Sequence, residues 1–265
     1  MAELLNVRNL SLSFGGLKAL DDVDLTVCEG SVTGLIGPNG AGKTSLLNCV
    51  CGFYKPQRGE VRLGSSDLLQ LRPYQIVRSG LARTFQHVEL FRSMTVLENV
   101  LVGAHTGHRP NVLAEAFSLP SARRATRSQR ELARSMLQML GLESYATHPA
   151  TALPLGLQKR TGLARALISR PKLVLLDEPA GGLNDTEKRA LGSLLRQLQA
   201  ALGITILLIE HDMDLVMGLC DSITVLDFGK RIAVGSPAAI KRDPLVISAY
   251  LGVAGAVDAS SAAQA

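Results

Sequence analysis

The chain has 265 residues, 46% of them hydrophobic, with a formal charge of +5 and a pI near 9.2. That is enough apolar material for one large core or a domain with a subdomain, which excludes a disordered chain. The longest apolar runs, Gly203 to Ile209 and Leu173 to Leu176, fall far short of the ~20 residues a membrane-spanning helix needs. Met1 to Leu5 has no basic region ahead of an apolar segment, so secretion is not expected and the chain is placed in the cytoplasm. The positive charge fits an anionic ligand and leaves nucleic acid or an acidic lipid surface open.

In chain order, short strands are expected at Leu4 to Val7, Leu10 to Phe14 and Asp24 to Val27, with a turn at Gly15-Gly16, followed by an apolar strand from Ser31 to Ile36. A helix from Lys43 to Cys51, a turn at Lys55 to Gly59, a strand at Glu60 to Leu63, a helix around Pro73 to Ser79 and a strand at Leu81 to Thr84 come next. From Val96 to about Leu142 the pattern is helical: Val96, Val100 and Leu101 share one face, and Leu132, Met136, Leu137 and Leu140 recur at helical spacing after a polar loop. Met136 and Met139 are both read as members of that core stripe.

Beyond this block, helices at Leu157 to Ser169, Thr186 to Ala201 and Asp212 to Leu219 alternate with strands at Leu173 to Leu176, Ile204 to Ile209 and Ile223 to Leu226. Strands apolar throughout and alternating with helices mean a parallel sheet covered on both faces, an α/β fold. Asn184 with Glu187 supplies a capping box, and Gly203 stops the helix. The tail after Leu251, rich in Ala, Ser and Gly, has little to bury.

Gly37-Pro38-Asn39-Gly40-Ala41-Gly42-Lys43-Thr44, directly after the apolar strand and opening a helix, has the full G-x-x-x-x-G-K-T pattern. Its glycines let consecutive N–H groups converge on an anion while the helix adds its positive end. Lys43 would reach the β- and γ-phosphates, the Thr44 hydroxyl would ligate Mg2+, and Ser45 completes the nucleotide-binding run. Glycine-rich turns without a ligand exist, but the strand and helix context argues for phosphate.

The loop alone does not separate kinases, GTPases, recombinases and transport ATPases. The strand Leu173 to Leu176 ends in Asp177 and Glu178, which places Asp177 to hold the magnesium shell and Glu178 to orient the attacking water. His211 ends the next strand and is a candidate γ-phosphate sensor. Gln86, at the exit of the Leu81 to Thr84 strand, could reach both metal and water. The bland readings are a helix N-terminal charge pairing for the two acids and an ordinary strand-end residue for the histidine.

Arg123, Arg127, Arg130 and Arg134 share one predicted helix face, read as a solvated surface or, more sharply, as one lying near anionic headgroups. Cys28, Cys49, Cys51 and Cys220 show no C-x-x-C pairing and are read as reduced, mostly buried small residues. His105 and His108 fall in a loop marked by Gly107, Arg109 and Pro110.

Taken in this order, the elements resemble the nucleotide-binding subunit of an ATP-binding cassette (ABC) transporter over nearly the whole chain. The resemblance implies an ABC ATPase core with an N-terminal antiparallel β subdomain and an inserted α-helical subdomain at about 87–170, within a domain 1–251 followed by a tail 252–265. It makes Phe14 the residue stacking on adenine, Gln86 the Q-loop glutamine, Asp177 and Glu178 the Walker B pair, His211 the switch histidine, and Gly181 to Asn184 the D-loop. The signature segment falls at Leu153 to Arg160, where Pro154 replaces the usual serine while Gly156 and Gln158 survive to meet a phosphate from the opposite subunit.

Pro154, Asn184, the run Ile209 to Met213, the helical insert and the close at Ala249 to Gly252 look like the branch that serves branched-chain amino acid importers. Importers of urea or short amides look similar. The resemblance implies ATP and Mg2+ as ligands, a second ATPase subunit, two permease subunits, an external substrate-binding protein, and a place on the cytoplasmic face of the inner membrane, with no nucleic acid. A soluble non-transport cassette and a non-hydrolysing regulatory cassette are the other classes.

Overall fold

The structure, a computed structural model, describes residues 2–84, 89–104 and 120–250, with side chains omitted for 120–125. The described residues form two compact units, one drawn from Met1–Ser79 and Gln199–Ala265, the other from Gly80–Leu198.

In chain order, β1 (Glu3–Phe14) and β2 (Leu17–Cys28) form a long antiparallel hairpin across the Gly15-Gly16 turn. Each strand has 12 residues, where the sequence suggested shorter pieces. The interruptions are register shifts, with Asn9 and Asp22 at φ of 49° and 57°. Asparagine and aspartate tolerate that left-handed conformation, so what reads as a break is a bulge. Asp24 fixes it by accepting from the Asn9 N–H at 2.9 Å.

β3 (Val32–Ile36) is buried throughout and feeds α1 (Lys43–Val50). β4 (Arg58–Leu63) and β5 (Ser66–Asp67) complete an antiparallel sheet ordered β2-β1-β4-β5. α2 (Pro73–Arg78) follows, its first turn opened by Pro73.

The second unit begins with β6 (Leu81–Thr84), then α3 (Val96–Ala104), α4 (Pro120–Met139) and α5 (Leu155–Leu167). β7 (Leu173–Asp177) runs parallel to β6 with Arg83 opposite Leu175. On α4, Ala133, Met136 and Leu137 are buried, whereas Met139 is 44% exposed. This corrects its placement in the core stripe: Met139 lies about 100° round the helix from that face. Arg127, Arg130 and Arg134 are exposed, and Arg127 pairs with Glu131 at 3.1 Å.

α6 (Asp185–Leu202) opens on the expected capping box, with Asn184 Oδ1 accepting from the Glu187 N–H at 3.0 Å and Glu187 Oε2 from the Asn184 N–H at 2.9 Å. Gly203, at φ 62°, follows its last turn.

The first unit resumes with β8 (Thr205–Ile209), α7 (Met213–Leu219), β9 (Ser222–Asp227), β10 (Lys230–Gly235) and α8 (Pro237–Ile240). There β8 and β9 flank β3 as parallel neighbours and β10 pairs antiparallel with β9. Parallel neighbours on both sides fit a β3 that is buried at every position, Thr33 included.

Cys49, Cys51 and Cys220 are buried free thiols and Cys28 is half-buried. No helix among the described residues is long and apolar enough to cross a membrane. Gln86, His105, His108 and the tail from Leu251 lie outside the described residues.

Candidate functional site

In the first unit the chain leaves β3 at Gly37 and turns through Pro38, Asn39, Gly40 and Ala41 to Gly42, with φ of 150°, 80° and 99° at the three glycines. Gly42 is the N-cap of α1, contributes no side-chain cap, and no acidic residue stands in the first turn. No side chain caps this end of α1, so the positive end of its dipole is not offset by a neighbouring acid in the first turn.

Ala41 N–H donates to Pro38 O at 3.2 Å and Gly229 N–H to Ala41 O at 3.1 Å, tying the loop to itself and to the β9–β10 turn. Lys43 Nζ donates to Gly37 O at 2.6 Å and Pro38 O at 2.8 Å. Thr44 is exposed and Ser45 half-buried on the first turn of α1, so the Thr44 hydroxyl is accessible as a hard oxygen donor.

Two tyrosines of this unit have no role assigned from the sequence pattern. Tyr54 packs edge-on against Phe14, ring centroids 5.2 Å apart at 78°. Both rings are partly open, Phe14 at 47% and Tyr54 at 37%. The Tyr250 hydroxyl is buried without a well-formed hydrogen bond; burial pushes its ionisation upward, opposed by the Gly37 backbone N–H nearby.

His211 is exposed beyond β8, and Glu210 beneath it is buried. Glu210 Oε2 accepts from the N–H groups of His211 at 3.1 Å and Asp212 at 3.4 Å, while Asp212 caps α7 by accepting from the Leu215 N–H at 3.0 Å. A buried carboxylate thus fixes the backbone that presents the histidine. The signal was the charged residue ending an otherwise apolar strand.

In the second unit Asp177 ends β7 and is 8% exposed, with Oδ2 held by Arg83 Nη2 at 2.7 Å. Glu178 follows with φ at 46°, a left-handed conformation unusual for a glutamate. Such strain persists where surrounding bonds over-determine it. Lys159 Nζ supplies part of that restraint, donating to Glu178 O at 3.4 Å and Pro179 O at 2.9 Å.

The signature helix α5 starts at Leu155, two residues earlier than the sequence suggests, with Pro154 as its N-cap. Pro154 O accepts from the N–H groups of both Leu157 and Gln158 at 3.0 Å. Ahead of these two, the N–H groups of Leu155 and Gly156 open the helix. The Gln158 side chain turns back on its own loop, donating to Leu153 O at 2.7 Å and Thr151 O at 3.2 Å. It braces the segment ahead of the helix.

A fold with a phosphate loop after a buried parallel strand, a carboxylate pair ending another strand and a helical block between them defines a class. The chain belongs to the ABC transporter family, whose model matches residues 20–181, and is an ATP-binding cassette, an ATPase subunit. The model for the branched-chain amino acid ATP-binding cassette transporter matches residues 230–256.

Among relatives, the high-affinity branched-chain amino acid transport ATP-binding protein BraF of Pseudomonas aeruginosa is 44% identical over 95% of this chain and 98% of its own length. LivG of Escherichia coli, which carries the same description, is 45% identical over the same shares. The crystal structure of the ADP conformation of MJ1267, an ATP-binding cassette of an ABC transporter, superposes with a TM-score of 0.83 at 32% identity, covering 95% of this chain and 100% of that one. A dimeric structure of the cassette MJ0796 bound to ADP and Pi gives a TM-score of 0.73 at 26% identity, covering 88% and 99%.

Proposed function

We propose that this chain is the ATP-binding and ATP-hydrolysing subunit that powers import of branched-chain amino acids. The observation that carries the reading is the glycine-capped start of α1, which has no side-chain cap and no acidic residue in its first turn, beside Lys43 after a buried strand. The cargo follows from the near full-length likeness to BraF and LivG and from the match at residues 230–256.

ATP is taken by backbone N–H groups of the loop from Asn39 to Ser45 other than that of Ala41, and by the Lys43 ammonium, with adenine stacked on Phe14 and framed by the edge of Tyr54. Mg2+ fits the donors present, since Thr44 and Asp177 offer hard oxygens. No cluster of three or more His, Cys, Asp or Glu forms a dedicated metal cage among the described residues; an ion that keeps several waters and binds phosphates suits that arrangement. When bound, it neutralises charge on the phosphates.

Glu178 aims the attacking water, His211 donates to the charge developing on the γ-phosphate, and Gln86 reaches metal and water. A second cassette completes each site by presenting the Leu155 and Gly156 N–H groups to the nucleotide held by Lys43 of its partner. Closure follows binding, and reopening follows hydrolysis. The helical block at about 87–170, with the segment after Gln86, receives two permease subunits at the cytoplasmic face of the inner membrane, and a substrate-binding protein delivers the amino acid outside.

The full chain purified from gently solubilised membranes is expected to bring two permeases and a second ATPase subunit, identified by mass spectrometry. In that complex Glu178→Gln retains ATP binding and traps the closed dimer, whereas Lys43→Ala loses nucleotide affinity. Normal phosphate release by Glu178→Gln removes Glu178 from its role. Unchanged affinity of Lys43→Ala refutes the phosphate loop.

A further inference from the structure

We infer that Arg83 is a positioning residue for the hydrolytic site: by holding Oδ2 of Asp177, its guanidinium fixes the carboxylate plane and leaves Oδ1 for the magnesium shell. The inference rests on the reading of Asp177 proposed above and extends it to a residue outside the usual motifs.

The pair is built by the strand register. β6 and β7 are parallel with Arg83 opposite Leu175. Residues two apart share one face of a strand, so Asp177 lies one step further along the face that Arg83 occupies. A guanidinium is long enough to lean across that step, and its Nη2 meets Oδ2 at 2.7 Å. Both side chains are about 10% exposed, so the contact is nearly dry.

A dry ion pair is not retained for stability as such. Taking two charges out of water offsets most of their attraction, and apolar replacements of similar volume are often neutral or better. What the pair supplies is geometry. A single charge-assisted bond to one oxygen orients the carboxylate and keeps it from turning both oxygens to a cation. The partners of a metal-binding group commonly contribute to affinity in this way. In the sequence Arg83 stands three residues before Gln86, the glutamine proposed to reach the metal.

The test uses the full chain and a fluorescent ATP analogue, titrated in excess EDTA and in excess Mg2+. The ratio of the two affinities is the magnesium gain. Arg83→Met is expected to keep its EDTA affinity and lose gain by about tenfold, the low end for removing a group that orients a metal ligand. Arg83→Lys, which restores a cation of shorter reach, is expected to recover part of it.

Asp177→Asn run alongside separates two failures. If Asp177→Asn loses the gain while folded Arg83→Met retains it, Arg83 is only a structural partner and the inference is overturned. If Asp177→Asn also retains the gain, the reading of Asp177 fails and takes this inference with it. Should Arg83→Met not fold by circular dichroism, Arg83→Gln, too short to span to Asp177, is titrated under the same two criteria.

Discussion

Replacing Gly40 and Gly42 separately by alanine distinguishes two costs that the phosphate loop carries. At Gly40, φ is 80° and a methyl group would meet no atom within 4 Å. Its cost is the left-handed backbone alone, about 1–2 kcal/mol for an L-residue. At Gly42, φ is 99° and the methyl would stand 2.6 Å from Ala19 O and 3.0 Å from Leu20 Cδ2. Ala19 belongs to β2, and its carbonyl has no rotamer to yield with, so overpacking adds about 1–3 kcal/mol to a comparable strain.

The sum for Gly42→Ala is about 2–5 kcal/mol. With about 2–4 °C of Tm per kcal/mol at this chain length, Gly40→Ala should melt on the order of 5 °C lower and Gly42→Ala on the order of 10 °C lower. Thermal melts by circular dichroism, backed by urea titrations, give the comparison. Equal losses at the two positions, or a larger loss at Gly40, refute the claim that α1 is pressed against the β2 backbone at its N-cap.

Met136→Ala should cost about 2–5 kcal/mol as a buried truncation, whereas Met139→Ala on the open face should stay within about 0.5 kcal/mol of wild type in urea unfolding. Burial pushes the Cys49 thiol from an ordinary 9.0 to about 12. The folded chain therefore holds that proton above the pH at which the unfolded chain releases it, and stability is lost as pH rises from 9 toward 12. The slope contributed is at most about 1.4 kcal/mol per pH unit, and unfolding curves of Cys49→Ala above pH 9 should lack it. Under native conditions iodoacetamide should label half-buried Cys28 well before Cys49, as peptide mapping would report.

Much of this site is local in sequence and could be read there. The G-x-x-x-x-G-K-T run fixes its own turn because glycine allows the loop's positive φ values, and Asn184 with Glu187 spells its cap within four residues. The strand expected at Leu81 to Thr84 has those same bounds in the structure. Features that escaped depend on contacts between distant segments or on residues doing what they rarely do.

Arg83 and Asp177 are 94 residues apart in the chain, and only the register of two parallel strands joins them. Tyr54 meets Phe14 only once the hairpin and the end of α1 have packed. The length of β2 was hidden because Asp22, a turn former by composition, serves a bulge. Met139 shows the limit of apolar spacing: it is hydrophobic and helical, yet rotated away from the face that its neighbours bury.

Lys43, gripping the Gly37 and Pro38 carbonyls, acts as an internal splint for the cradle. Arrival of a triphosphate then becomes an exchange of partners for one ammonium group, with no disordered loop to assemble. Capture should accordingly be quick and nearly free of an ordering penalty, and the slow events of the cycle are left to the meeting and parting of cassettes.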